Sequence, residues 1–182
     1  MSKIAVVVGS LRAESFNRKL AEALIRLPAA EGHDFTFADI GALPLYDQDD
    51  DDDQAESVKA LKALVSGSDG VMFVTPEYNR SMPGVLKNAI DNASRPYGQS
   101  AWAGKPAGVI GVSVGAIGTA LAQQHLRNVL AYLDMPTLGA PEAFLQWKEG
   151  LLNEDGTVGA QSADFLGGWM TAFLDYVAIH SA

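Results

Sequence analysis

Cysteine is absent from the 182 residues, which excludes disulfides, thiolate nucleophiles, iron–sulfur clusters and cysteine-ligated zinc in one step. Histidine is scarce too. His33, His125 and His180 stand far apart and none has a histidine four residues away, so no helical pair offers the start of a metal site. Positive charge is short: 13 Lys and Arg face 22 Asp and Glu, a formal charge of -9, and a nucleic-acid backbone or an anionic membrane would be repelled over most of the surface. Long apolar runs are missing as well. The start MSKIAVVVGS has an apolar run of five, too short for a signal peptide and far below the ~20 residues that span a bilayer. These absences predict a cytoplasmic protein whose partner is a small molecule, with no nucleic acid and no membrane.

What is present suffices for one core. With 48% hydrophobic and 19% charged residues, a single domain over 1–182 is expected. Ile4 to Val8 is a β-branched run ended by Gly9, the pattern of a strand buried on both faces. Helical spacing follows from Asn17 to Leu27, stopped by Pro28. A strand over 34–39, a helix over 55–66, a strand over 70–75, a helix opened by Pro83 as its first residue, a strand over 106–114 and a helix over 120–133 come next. Residues 137–144 suit a fifth, edge-like strand interrupted by Pro136 and Pro141. The apolar stretch from Phe165 to Val177 closes the chain as a helix. Such βα alternation predicts an α/β fold, a flavodoxin-like three-layer, doubly wound, five-stranded parallel sheet. Ligands of such sheets sit beyond the carboxyl ends of the strands, where strand order reverses.

The run Asp49 to Asp53 raises a calcium site, but it lacks the glycine and the terminal glutamate of an EF-hand loop and reads as a solvated acidic loop. The loop after the first strand is richer. Gly9-Ser-Leu-Arg-Ala-Glu-Ser-Phe-Asn17 runs into a helix N-terminus, where free N–H groups join Ser10, Ser15, Asn17 and the charge of Arg12 in a set suited to a phosphate. Capping alone would explain Ser15 and Asn17 but not Arg12. The loop is neither a GxGxxG nor a P-loop, so a monophosphate is favoured over a dinucleotide pyrophosphate. FMN carries one phosphate and a flat ring.

The loop after the third strand, TPEYNRSMPG, is bracketed by Pro76 and Pro83. Between them Glu77, Tyr78 and Asn79 offer backbone groups, an aromatic face and an amide to a ring system such as a flavin. The same residues would equally make a turn in which Asn79 caps and Tyr78 packs.

GSLRAESFNRKLA at 9–21 and PEYNRSMPGVLKNAIDNASRP at 76–96 resemble the signature loops of the NADPH-dependent FMN reductase family, which includes bacterial quinone, chromate and azo-dye reductases. The resemblance runs along nearly the whole chain. It implies a flavodoxin-like fold, bound FMN, NADPH or NADH as hydride donor, a small-molecule electron acceptor, and a homodimer or homotetramer with the flavin near a subunit interface. It also implies that Ser10, Arg12, Ser15 and Asn17 hold the FMN phosphate, with Phe16 among the cofactor-binding residues, that Pro76, Glu77, Tyr78 and Asn79 border the ring, and that Ser113 and Gly115 form a third flavin-contacting segment. No side chain need act as acid or nucleophile. Arg80 could meet the phosphate of NADPH or an anionic acceptor. One departure stands out: Asn92 occupies a position where many relatives have Trp.

Two other readings use the same residues. Gly111-Val-Ser-Val-Gly115 fits the G-x-S-x-G of α/β-hydrolases, with Asp134, Asp164 or Asp175 and then His180 in the required order. The acidic composition also suits a flavodoxin-like electron carrier, though Arg12 is foreign to the usual Thr- and Gly-rich flavodoxin phosphate loop.

Overall fold

The computed structural model describes residues 1–181. Three strands make its centre: β1 (Lys3–Val8), β3 (Gly70–Val74) and β4 (Ala107–Ser113). Each is an apolar run buried almost throughout, as a strand covered on both faces must be. The edges are shorter and less buried, β2 (Asp34–Phe37) on one side and β5 (Phe144–Gln146) on the other. All pairs are parallel and the order is β2-β1-β3-β4-β5.

Side-chain alternation along β1 builds two cores. Ile4, Val6 and Val8 face one layer with α1 (Phe16–Leu24) and α5 (Ala160–His180). Ala5 and Val7 face the other, with α2 (Glu56–Ser66), α3 (Gly84–Ala93) and α4 (Ala120–Tyr132). The chain leaves β1 toward β2 and leaves β3 toward β4, so the strand order reverses between β1 and β3.

Several boundaries differ from the sequence expectation. Pro83 is the N-cap of α3, with Gly84 its first residue. The first helix ends at Leu24, and Pro28 instead opens a short 3-10 turn over Pro28–Ala30. The 137–144 segment divides: Thr137 bridges to Ala107 at the start of β4, the chain then departs, and β5 proper is Phe144–Gln146 beside its end. Pro136 and Pro141 carry no N–H, so a continuous ladder across that segment is impossible.

The five aspartates lie in an exposed or half-exposed loop, where Asp47 caps its own turn by accepting from the N–H of Asp49 at 3.1 Å. Among the described residues no group of three His, Asp or Glu side chains is placed to hold a metal ion, and no helix is long and apolar enough to cross a membrane. Asn92 has local work. Its buried amide donates to Pro44 O and Asn88 O at 3.1 and 3.0 Å, pinning the loop after β2 to α3.

Candidate functional site

Three loops meet at the carboxyl edge of the central strands. The first follows β1. Gly9 still pairs in the sheet, its N–H donating to Val74 O at 2.9 Å, and from Ser10 to Glu14 the chain is half-exposed or exposed. Ser15 is the N-cap of α1, its buried hydroxyl oxygen accepting from the N–H of Arg18 at 3.2 Å. That leaves the N–H groups of Phe16 and Asn17 without intrahelical partners, at the positive end of the helix dipole.

Charge in this loop is sorted. Glu14 meets Lys19 at 2.5 Å, a contact that holds its carboxyl below the usual carboxylate range, and Arg18 pairs with Glu22. Arg12 forms no ion pair among the described residues; its guanidinium lies 5.1 Å from the centre of the Phe16 ring. A cation with no ion pair beside a helix start that keeps two free N–H groups suits an anion.

The side chain of Asn17 differs from the donor role expected of it. Its amide is buried and turned to β4, donating to Val112 O at 2.9 Å and accepting from Val112 N–H at 3.0 Å. What Asn17 presents to the first loop is its backbone.

The second loop follows β3. Thr75 makes the last ladder bond, to Ile110 O at 3.0 Å, and Pro76, which has no N–H, is buried as the chain turns out. Glu77 does not point its carboxylate at solvent: one oxygen accepts from the N–H groups of Leu121 and Ala122 at 3.1 and 3.2 Å, capping α4 from outside. Tyr78 and Ser81 exchange both backbone hydrogen bonds, at 2.9 and 3.0 Å, around Asn79 and Arg80 with φ of 52° and 66°. Positive φ at both central residues is the signature of a type I′ turn. Tyr78, Asn79 and Arg80 are exposed. Ser81 Oγ lies 3.0 Å from His125 Nδ1, so α4 holds this loop at two points.

The third loop follows β4. Ser113 Oγ donates to Gly118 O and lies 3.3 Å from Gly115 O, folding 113–118 on itself and leaving Val114, Gly115, Ala116 and Ile117 exposed. Trp147, just past β5, donates its N–H to Ser113 O at 2.7 Å. Its ring stacks on Phe16, centroids 4.2 Å apart at 19°. The sequence pattern does not single out Trp147, because the expected fifth strand ends at Phe144; the observed end at Gln146 puts Trp147 at the sheet's carboxyl edge.

The hydrolase reading fails on this geometry. Ser113 ends the seven-residue strand β4, whereas His180 borders a recess with Gly104, Lys105 and Pro106, just before β4 begins. A strand of that length separates them by about 20 Å at ~3.3 Å per residue. Nor is Ser113 on an elbow, since its hydroxyl is spent on its own loop.

Comparison with known proteins adds to this. A family model described as NADPH-dependent FMN reductase matches residues 2–149. The chain is 57% identical over 156 residues to a 2-hydroxy-1,4-benzoquinone reductase of Burkholderia sp, covering 86% of this chain and 85% of that one. It is 47% identical over 180 residues to a quinone reductase of Pseudomonas putida, covering 98% and 96%. Among solved structures, the flavoenzyme NAD(P)H:(acceptor) oxidoreductase FerB from Paracoccus denitrificans superimposes with a TM-score of 0.94 at 47% identity, covering 99% of each chain.

Proposed function

The chain belongs to the NADPH-dependent FMN reductase family, and on that premise we propose that it reduces quinones with electrons taken from NADPH or NADH. FMN is the cofactor of the family; when bound it accepts a hydride equivalent and returns two electrons to an acceptor. The observation that carries the reading is a helix start with free N–H groups and an Arg12 without an ion pair, set at the carboxyl edge of the central strands where strand order reverses.

In this reading the backbone N–H groups of Phe16 and Asn17, the hydroxyls of Ser10 and Ser15 and the Arg12 guanidinium hold the phosphate. Pro76, Tyr78 and Asn79 border the ring, with Glu77 fixing their loop to α4. Ser113 and Gly115 close the third side, where the exposed glycine lets backbone approach a flat ligand. None of these groups is asked to donate or abstract a proton. Their work is to bind, to orient and to leave a ring face accessible. Relatives of 57% and 47% identity that are named as reductases favour turnover over a pure carrier role. Chromate, azo compounds and free flavin remain candidate acceptors, because an open face imposes little chemical selection.

The test is an anaerobic absorption spectrum of the purified protein before and after NADPH, followed by a quinone. Flavin bands that bleach and then return on adding the quinone are expected. A colourless protein that takes up no added FMN would remove the reading, and bleaching without return would leave only a carrier.

Arg80 is proposed to meet the donor's phosphate or an anionic acceptor. A left-handed backbone costs a non-glycine residue ~1–2 kcal/mol, and an exposed arginine kept there points to use in recognition. Arg80→Gly relieves that cost. The expected variant melts no lower than wild type, yet its KM for NADPH rises several-fold. An unchanged KM would return Arg80 to a solvated turn.

The same reading includes a homodimer or homotetramer in the cytoplasm. In its support, Leu11, Leu45 and Val114 stand 60%, 84% and 69% exposed on the loops at the sheet's carboxyl edge, a surface that a second copy would cover. A monomer mass by light scattering would exclude it.

A further inference from the structure

The aromatic pair beside the first loop is not accounted for by packing alone. Phe16 is the first residue of α1 and carries one of the N–H groups assigned to the phosphate. Its ring is stacked on Trp147, and the Arg12 guanidinium lies within cation–π distance of the same ring. Trp147 is itself fixed through its backbone to Ser113, while the neighbouring Gln146 donates from its side chain to Val114 O at 3.1 Å. One residue therefore joins the first loop to the third, although they are separated by about a hundred positions in the chain.

We infer that Trp147 is a positioning residue for the flavin phosphate, acting through the Phe16 ring to hold Arg12 where the phosphate binds. The inference rests on the phosphate reading of the first loop and deepens it. Arg12 has an exposed, flexible side chain and no ion pair among the described residues to order it. The aromatic face supplies that order. With Trp147 against one face at 4.2 Å, Phe16 cannot turn away from Arg12 without losing the stack. Both rings pack on the edge of the core shared with α1 and α5, but that does not by itself place Arg12. Trp147 is only half-buried and borders an open recess of about 410 Å3 with Lys19, Arg26 and Leu152, so its ring is a wall more than a plug.

The phosphate distinguishes FMN from riboflavin, and so does the test. Full-length flavoprotein loaded with FMN or with riboflavin is dialysed at falling concentration, and the two dissociation constants are compared for wild type, Trp147→Leu, Trp147→Phe and Arg12→Ala. Leucine keeps apolar bulk without a flat face; phenylalanine keeps the face. Loss of one aromatic contact and the cation contact it orders corresponds to about a 5- to 20-fold change. The expected result is that Trp147→Leu weakens FMN by that factor and riboflavin by less than about twofold, with Trp147→Phe close to wild type.

Equal weakening of both flavins would overturn the inference by making Trp147 a packing residue of the fold. No weakening of either would overturn it as well. Arg12→Ala should abolish most of the preference for FMN. If that variant kept the wild-type ratio of the two constants, the phosphate reading itself would fall and take the inference with it.

Discussion

Gly111→Ala is expected to leave little soluble folded protein, and whatever survives to melt roughly 10 °C or more below wild type, as a loss above ~3 kcal/mol implies for a chain of this length. The reason is a close approach in the sheet. A Cβ at residue 111 would stand 2.0 Å from the backbone oxygen of Thr75 and 2.4 Å from Thr119 Oγ1. Neither can yield. Thr75 is fully buried and tied by its N–H to Ile110 O and by its hydroxyl to Pro76 O. Thr119 is equally buried, and its hydroxyl oxygen accepts from Gln123, which also holds Ala143 O. The internal control is Gly115→Ala, whose added carbon meets nothing nearer than Ser113 Oγ at 3.8 Å; its melting temperature should be unchanged within about 0.5 kcal/mol of stability. Thermal melts followed by circular dichroism decide this, and a Gly111→Ala protein melting like wild type would deny the approach in solution. The two glycines that made the sequence look like a nucleophile elbow thus have separate purposes, one steric and one on an exposed loop.

The layered sheet was legible because its signals are local and mutually consistent. Buried strands read as β-branched runs, helices as apolar stripes, and the alternation of the two leaves few topologies. The failures come from contacts between distant parts. Glycine disfavours a helix interior, yet α5 runs 21 residues unbroken past Gly167 and Gly168, because both glycines face open space while Trp169, Met170, Phe173 and Val177 pack on the sheet. The fifth strand was misplaced for the opposite reason. Three residues, two of them exposed and one half-buried, carry almost no periodic signal, and only their position beside β4 makes them a strand.

In the candidate site, residue types were readable but directions were not. Arg12 and Ser15 could be assigned to a helix start from spacing alone. The carboxylate of Glu77 and the amide of Asn17 could equally have faced a ligand, and both are instead turned inward, to α4 and to β4. Their partners lie 44 and 95 residues away. No local pattern encodes such a choice, since it depends on which strand ends where. The departure at Asn92 shows the converse: a residue unusual by resemblance has a plain local role, anchoring Pro44.

Asn17→Ala is the second large effect, and its logic lies in the sheet's hydrogen-bond accounting. On the β5 side, β4 is served at Ser113, whose carbonyl accepts from Trp147. Val112 points its N–H and C=O the other way, toward β3, but β3 ends at Val74 and the chain turns out past Thr75, so no strand residue stands opposite Val112. The Asn17 amide takes the place of the missing strand residue, giving Val112 one donor and one acceptor. Removing it strands two backbone groups beside a residue that is 1% exposed, at ~1–3 kcal/mol each, so a fall in melting temperature of about 5–15 °C is expected. It also unlatches the start of α1 from the end of β4, so FMN should be held less tightly by more than the loss of a surface contact would cause. Asn17→Asp sharpens the test. A carboxylate can still accept from Val112 N–H but cannot donate to Val112 O; only its protonated form can. Burial against a carbonyl therefore raises the folded-state pKa of that Asp. The stability it restores is complete below the unfolded-state value of ~3.9 and is lost as pH rises through the folded one. The gap in melting temperature between Asn17→Asp and wild type should accordingly narrow toward acid pH, while that of Asn17→Ala stays constant. Parallel behaviour of the two variants would mean that the amide is not serving Val112 as a two-point partner.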